Sequence, residues 1–390
     1  MRLAVVVPRY GVGVPGGAEQ AARRLSEALV ARRGWDVEVL TTTALDTDWN
    51  DGYPAGTEHL AGVTVRRFPI TGRRARDFDE RSMRLLGAPR RASDRDEEAW
   101  LHAQGPTSPD LVAAVAASDA DAIAFHPYLY HPTIAGMRAA RRPTILHGAA
   151  HDEPALTLRM VRASYERADA LAFWSDTERA LVLDHFAVGA TPQVVTGLGV
   201  EPGDGDERAA RDAVGIGDRP YVLCVGRVDD GKGAALLREL FVAYATHRRR
   251  GDVTLVFVGA VVHPPVAHEQ IIVTGAVDES VKWGLLRGAR ALISPSAYES
   301  FGIVLSEAWS VGTPVIVNAR CAVTSAHVRA ARGGFTFADA AEFTAAIDRL
   351  LADDGVARAL GTAGEQHTRV HFLWDPVLDR YGRLVSQIAS

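Results

Sequence analysis

Cysteine is almost absent: the 390 residues contain two, Cys224 and Cys321. Neither belongs to a Cys-x-x-Cys pair, which argues against structural zinc and dithiol redox chemistry and fits a reducing cytoplasm. Cys224 lies in the apolar run Tyr221–Val225 and is expected as a buried strand residue, while Cys321 follows a later strand. Long apolar runs are missing too, and none approaches the roughly 20 residues of a membrane span. The apolar N-terminus Met1–Pro8 is short and turns at once into Gly, Pro and a helical pattern. It reads as a first strand and not as a signal peptide. Low-complexity tracts and short repeats are lacking. Positive charge is not in excess: the net charge of -5 argues against general nucleic-acid binding. One region departs from this balance. Between Arg66 and Arg95, ten arginines face four acids (Asp77, Asp79, Glu80, Asp94). The block reads equally as a solvated insertion or as a basic face for an anionic acceptor or an anionic membrane.

Apolar residues make up 47% of the chain and charged residues 23%, as in a globular protein that needs neither disulfide nor metal to fold. Short Val-, Ile- and Leu-rich runs alternate with helical patterns. The strand candidates of the first half are Leu3–Val7, Val37–Thr41, Val63–Phe68, Ala122–Phe125, Thr144–Leu146, Ala170–Trp174 and Gln193–Thr196. Those of the second half are Tyr221–Val225, Thr254–Val258, Ile271–Thr274, Ala291–Ile293, Pro314–Val317 and Phe335–Phe337. Continuous apolar runs of this length suit parallel strands covered on both faces. Between them lie helices such as Ala18–Arg32, which puts Ala21, Leu25, Ala28 and Leu29 on one face. The alternation predicts doubly wound α/β sheets. It pauses once, at the Gly-, Asp- and Glu-rich residues 197–219, so the expected domains are 1–197 and 198–375. A terminal helix over 376–390 follows the break at Phe372–Pro376.

The loops after strands are where an open α/β sheet binds its ligand, and three of them carry chemistry. The most informative is Tyr298-Glu-Ser-Phe-Gly-Ile-Val-Leu-Ser-Glu307, with Ser294-Pro-Ser296 before it and Gly312-Thr-Pro314 after it. Glu299 falls on a loop and Glu307 on the helix that follows. The N–H groups of Phe301 to Val304 form a helix start suited to an anion. The second loop is Gly226-Arg-Val-Asp-Asp-Gly-Lys-Gly233, where Arg227 and Lys232 can converge on a diphosphate. The third is the glycine-rich turn Pro8–Gly17 that leads into the first long helix. It lacks G-x-G-x-x-G spacing and is by itself weak evidence.

Together these residues resemble the E-x7-E signature of retaining glycosyltransferases of family 4. The resemblance is strong over 221–317 and weaker in the first half. It implies the GT-B fold, two Rossmann-like parallel-sheet domains facing a central cleft. The first domain would bind the acceptor and the second the donor, and the last helix would cross back to the first domain. The donor would be a nucleotide-sugar, with a UDP-sugar first and GDP-mannose next. Glu299, Phe301, Gly302 and Ile303 would meet the sugar, and Arg227, Lys232, Gly16 and Gly17 the diphosphate. Glu307, Val304 and Val277 would meet the ribose and base.

The loop His147-Gly-Ala-Ala-His-Asp-Glu-Pro154 reads by itself as a polar site edge, and the resemblance implies that one of its histidines lies next to the donor sugar and the reacting bond. His151 is preferred and His147 is the fallback. His126, His147 and Asp152 are candidates for the acceptor side, although His126 and His131 read slightly better as satisfied structural histidines. Ser175 is expected to cap a helix. Asp119-Ala-Asp121 matches a D-x-D metal motif but precedes a strand, and reads as a solvated turn. With Arg227 and Lys232 supplying positive charge, the resemblance asks for no metal and no other cofactor. The acceptor would be a glycan, a lipid-linked or a small-molecule hydroxyl. The expected place is the cytoplasm, with a possible peripheral contact to an anionic membrane through Arg66–Arg95. Rival readings on the same fold are a nucleotide-sugar 2-epimerase and an inactive nucleotide-sugar-binding protein.

Overall fold

The apolar runs become strands, and all but one lie parallel to their neighbours. In this computed structural model the described residues are 1–14, 16–248, 253–263 and 266–389. Pro15 of the glycine-rich turn and Ser390, the last residue of the expected terminal helix 376–390, lie outside them. The chain divides into two compact units, Met1–Gly199 with Asp375–Ser390, and Val200–Trp374.

Unit 1 holds β1 (Arg2–Val6), β2 (Asp36–Thr42), β3 (Gly56–Leu60), β4 (Val63–Phe68), β5 (Ala122–Phe125), β6 (Thr144–His147), β7 (Ala170–Phe173) and β8 (Gln193–Val195). Their order in the sheet is β3-β4-β2-β1-β5-β6-β7-β8. Strands β5, β6 and β7 are buried along their whole length; β5 and β7 are apolar throughout, and β6 (Thr-Ile-Leu-His) buries a polar residue at each end. Val6, Leu40, Phe125, Leu146, Leu171 and Phe173 anchor one core cluster. Each such side chain contributes roughly 1.5–3 kcal/mol by leaving water. Strand β3 has no counterpart among the apolar runs. It is an exposed antiparallel edge strand, Gly-Thr-Glu-His-Leu, with no buried face to leave a pattern. The helix Trp374–Ile388 closes the unit: Tyr381 is fully buried, Arg33 pairs with Asp375 (3.2 Å) and Asp379 (2.8 Å), and Arg380 donates to the Thr196 carbonyl at 2.6 Å.

Unit 2 holds β9 (Tyr221–Val225), β10 (Thr254–Val258), β11 (Ile271–Val273), β12 (Ala291–Ser294), β13 (Val315–Asn318) and β14 (Gly334–Phe337), in the order β11-β10-β9-β12-β13-β14. All of these strands are parallel. Cys321 is buried, but Cys224 on β9 is only half-buried, because it sits next to the loop at the strand's open end.

Strand order reverses between β1 and β5 in unit 1 and between β9 and β12 in unit 2. Such switch points open a crevice at the carboxyl ends of the strands. In unit 2 the flanking loops carry Arg227, Lys232 and Glu299. The D-x-D pair lies at the other end of its sheet, where Asp121 accepts from the Arg2 N–H (2.8 Å) and Asp119 from the Arg2 guanidinium (2.7 Å). It is a solvated tie between β1 and β5.

Among the described residues no helix is long and apolar enough to cross a membrane. The basic block is partly neutralised within unit 1: Arg66 pairs with Glu38, Arg67 with Glu58, Arg73 with Asp51, Arg81 with Asp77 and Arg84 with Glu80.

Candidate functional site

In unit 2 the two loops at the switch point are pressed together. Gly233 (φ 79°) lies so close to the loop after β12 that a Cβ there would stand 2.9 Å from the Pro295 carbonyl oxygen. The loop after β9 is braced from within by Asp229, which is buried. Its carboxylate accepts from the Lys232 backbone N–H at 2.7 Å and from Arg227 Nε at 2.5 Å. Burial alone would raise the Asp229 pKa, but these donors and the nearby cations outweigh it and hold the carboxyl below its ordinary value. With the loop fixed, Lys232 Nζ reaches Glu299 Oε1 at 2.7 Å. Neither side chain is fully exposed, at 39% and 17%.

The helix Ile303–Ser310 starts at Gly302, whose φ of 77° no other residue adopts cheaply. A Cβ at Gly302 would also stand 2.8 Å from Thr324 Cγ2. Gly302 makes no side-chain cap, so the first turn directs its N–H groups outward. Phe301 does not face this opening. Its ring is buried, edge-on to His327 (4.9 Å) and Phe372 (5.1 Å), so that only its backbone is available to a ligand. Glu307 on the same helix is buried, and its Oε1 lies 3.4 Å from Lys282 Nζ. Val304 and Val277 are half-buried on the helix and on the loop after β11.

In unit 1 the loops beyond β1, β5 and β6 hold the remaining candidates. Gly16 and Gly17 open the helix Gly17–Arg33 beside a buried ion pair, in which Arg9 Nε meets Glu19 Oε1 at 3.0 Å. Histidines 126 and 147 are not exposed site residues. They stack face to face with ring centroids 4.0 Å apart, each 1% exposed. His147 Nε2 lies 3.2 Å from the Tyr381 hydroxyl. The expectation of satisfied structural histidines is therefore only half correct: His126 is in the core, but neither of its ring nitrogens has a hydrogen-bond partner among the described residues. Burial lowers its pKa to about 3 and that of His131 to about 4; burial, then the neighbouring His126, holds His147 well below the ordinary range.

His151 and Asp152, in contrast, are exposed. The loop that carries them is held by Glu178, whose own N–H is capped by Ser175 Oγ at 3.1 Å, as the sequence suggested. The buried Glu178 carboxylate accepts from the Ala150 N–H (3.0 Å) and the Trp174 N–H (2.8 Å). Burial pushes its pKa up to about 7 in spite of those donors. Glu153 accepts from the Tyr128 hydroxyl at 2.6 Å.

Residues 16–199 match the family model described as "Glycosyl transferase 4-like domain", and residues 219–353 match "Glycosyl transferases group 1". Between them the two models take in most of the chain. It belongs to these glycosyltransferases. Its relatives include a D-inositol 3-phosphate glycosyltransferase of Segniliparus rotundus, 27% identical over 97% of this chain and 86% of the relative. Another is an alpha-maltose-1-phosphate synthase of Mycolicibacterium smegmatis, 26% identical over 87% of this chain and 98% of the relative. Among solved structures, sucrose-phosphate synthase from Thermosynechococcus elongatus superposes with a TM-score of 0.71, covering 99% of this chain and 98% of that one at 23% identity. Anabaena Alr3699/HepE in complex with UDP and glucose gives a TM-score of 0.71, covering 99% and 100% at 17% identity. The enzyme thus has the GT-B fold.

The structure brings four sequence candidates of this glycosyltransferase, Arg227, Lys232, Glu299 and Glu307, to one end of one sheet, while Gly16, Gly17 and His151 stand at the corresponding end of the other. Sequence reasoning missed Asp229, Glu178, Lys282 and the Arg9–Glu19 pair. Asp229 could have been read as a local brace, being two residues from Arg227 and three from Lys232. The others act across folds of the chain and carry no local signal.

Proposed function

We propose that the enzyme transfers a sugar with retention of anomeric configuration from a nucleotide-sugar to an acceptor hydroxyl. The observation that carries this reading is the convergence of Lys232 on Glu299 at the switch point of unit 2, next to an uncapped helix start. In this reading Lys232 and Arg227 take the donor diphosphate, and the N–H groups of Ile303 and Val304 extend the anion site. Glu299, released from Lys232, accepts from sugar hydroxyls, and Glu307 accepts from the ribose. Unit 2 is thus the donor domain and unit 1 the acceptor domain. A UDP-sugar is the preferred donor. Support comes from the solved Alr3699/HepE complexes, whose ligands are UDP, glucose and UDP-glucose. GDP-mannose is the competitor.

The mechanism that suits these groups is front-face substitution. The sugar–phosphate bond breaks toward the cations of the loop after β9. The acceptor oxygen bonds to the anomeric carbon from the same side, and its proton passes to a leaving phosphate oxygen. Charge on the diphosphate is met by Arg227 and Lys232, so the reaction is proposed to run without a metal. His151, exposed on its braced loop, is preferred over the buried His147 as the histidine near the reacting bond. The acceptor class stays as broad as glycans, lipid-linked sugars and small metabolites. The Arg66–Arg95 block, half of it paired internally, gives no separate support to a membrane-bound acceptor.

The test is thermal stabilisation by nucleoside diphosphates and nucleotide-sugars with and without EDTA, because a ligand of the folded state raises the melting temperature. Stabilisation by UDP or GDP that EDTA leaves intact is expected. A chain unmoved by every nucleotide refutes the reading. Product NMR then separates a retained anomer on an acceptor from a 2-epimerised donor.

A further inference from the structure

Only two of the 43 cationic residues in this chain are lysine, and each meets one glutamate of the E-x7-E pair. Lys232 meets Glu299. Lys282 meets Glu307, and it is the more enclosed of the two lysines: its side chain is 11% exposed and that of Glu307 5%. Lys282 sits on the helix Glu279–Gly288, which follows the loop after β11. Its ammonium also reaches Glu279 Oε2 at 2.8 Å, and that carboxylate stands 72% exposed at the rim. Two of the three ammonium hydrogens are thereby directed at carboxylates, leaving the third for another acceptor.

We infer that Lys282 is a second ribose-recognition residue, and that the Lys282–Glu307 couple selects nucleotides by the ribose diol. This rests on the proposed donor site. The chemistry is complementary. A carboxylate can only accept, an ammonium can only donate, and a ribose hydroxyl does both at once. A hydroxyl placed between Nζ and Glu307 Oε1 donates to the glutamate and accepts from the lysine. A deoxyribose cannot do so and leaves an enclosed charged pair without that partner, which is a costly way to bind. Arginine would not substitute here, because a planar five-donor fork needs more room than a compact ammonium between two carboxylates. In a chain so rich in arginine, lysine at this position follows the needs of the site.

The experiment is calorimetric binding of UDP and GDP, and of their 2′-deoxy and 3′-deoxy forms, to the wild type and to Lys282→Met, which keeps length and apolar stem. The wild type is expected to favour the ribonucleotide over at least one deoxy form on the order of tenfold or more. K282M should lose most of that ratio, chiefly by weaker ribonucleotide binding. Because it leaves the enclosed Glu307 carboxylate without its cation, its melting temperature should fall, and binding is measured well below that temperature with circular dichroism showing the folded chain. Lys232→Met is the control: it should weaken ribo- and deoxynucleotides alike and preserve the ratio. A wild-type ratio retained in K282M for both deoxy forms overturns the role of Lys282 alone. A wild-type chain that binds no nucleoside diphosphate overturns the donor site, and this inference with it.

Discussion

Replacing His126 by phenylalanine should make unit 1 less sensitive to acid. The ring lies against His147 at 4.0 Å between centroids, it is 1% exposed, and neither nitrogen has a partner among the described residues. It is therefore held neutral, with its pKa lowered from 6.5 to about 3 by burial. The sign follows directly. The unfolded chain takes up a proton near pH 6.5, while the folded chain resists until about pH 3. The stability tied to this group is complete above about pH 6.5 and is lost as the pH falls toward 3. Between about pH 8 and about pH 5 the linkage amounts to about 2 kcal/mol, set almost wholly by the unfolded imidazole. A phenyl ring keeps the stacked plane and cannot titrate. Urea unfolding at the two pH values is the assay, with hydrogen exchange of the β5 and β6 amides assigning the transition to unit 1. The loss of stability on acidification should be about 2 kcal/mol smaller in His126→Phe than in the wild type. An undiminished loss would show that His126 is hydrated or charged in the folded protein, and the reasoning would fail.

Three further outcomes are expected. Lys232→Ala and Glu299→Ala should each lower kcat/KM by roughly 1000-fold or more, with circular dichroism and melting temperature close to wild type; near-normal transfer by either variant refutes the donor-site assignment. Glu178→Gln puts an amide NH2 against one of the backbone N–H donors that face the carboxylate, costing about 1–3 kcal/mol locally. It should lower kcat through the His151 loop and leave nucleotide affinity in unit 2 unchanged, and a matching loss of nucleotide binding by calorimetry would contradict this. Gly302→Ala forces a side chain into left-handed backbone, at about 1–2 kcal/mol, and onto Thr324. Its melting temperature should fall and its donor KM rise, whereas an unchanged KM would mean that the helix start does not touch the donor.

The fold was legible because most strands are buried on both faces. A run such as Ala291–Ile293 has no polar alternation to confuse it with a surface element, and the strand limits of unit 2 needed no adjustment beyond a residue at their ends. Strand β3 escaped because an exposed edge asks nothing of its side chains. The candidate site was legible where its residues lie close along the chain, as with Arg227 and Lys232 on one loop, or Glu299 on a loop and Glu307 on the helix that follows it. It was not legible where a side chain serves another segment. Glu178 lies 28 positions from the Ala150 N–H it accepts from, and Lys282 lies 25 positions before Glu307. The two histidines of the stack are read singly as candidates for chemistry, and only the parallel pairing of β5 with β6 places them ring to ring.

The scarcity of lysine also has a practical side. Apart from the chain's α-amine, the side-chain amines of this protein are those that meet the two signature glutamates. An acylating reagent applied to the intact enzyme therefore attacks the proposed donor site or the α-amine. Coupling to a sensor surface through either lysine should silence the protein that it fixes, whereas coupling through the α-amine should not. The same reagent used sparingly, with adducts counted by mass, becomes a footprint of site occupancy. Lys232, at 39% exposed, should acylate well before Lys282 at 11%, and a bound nucleotide should slow both.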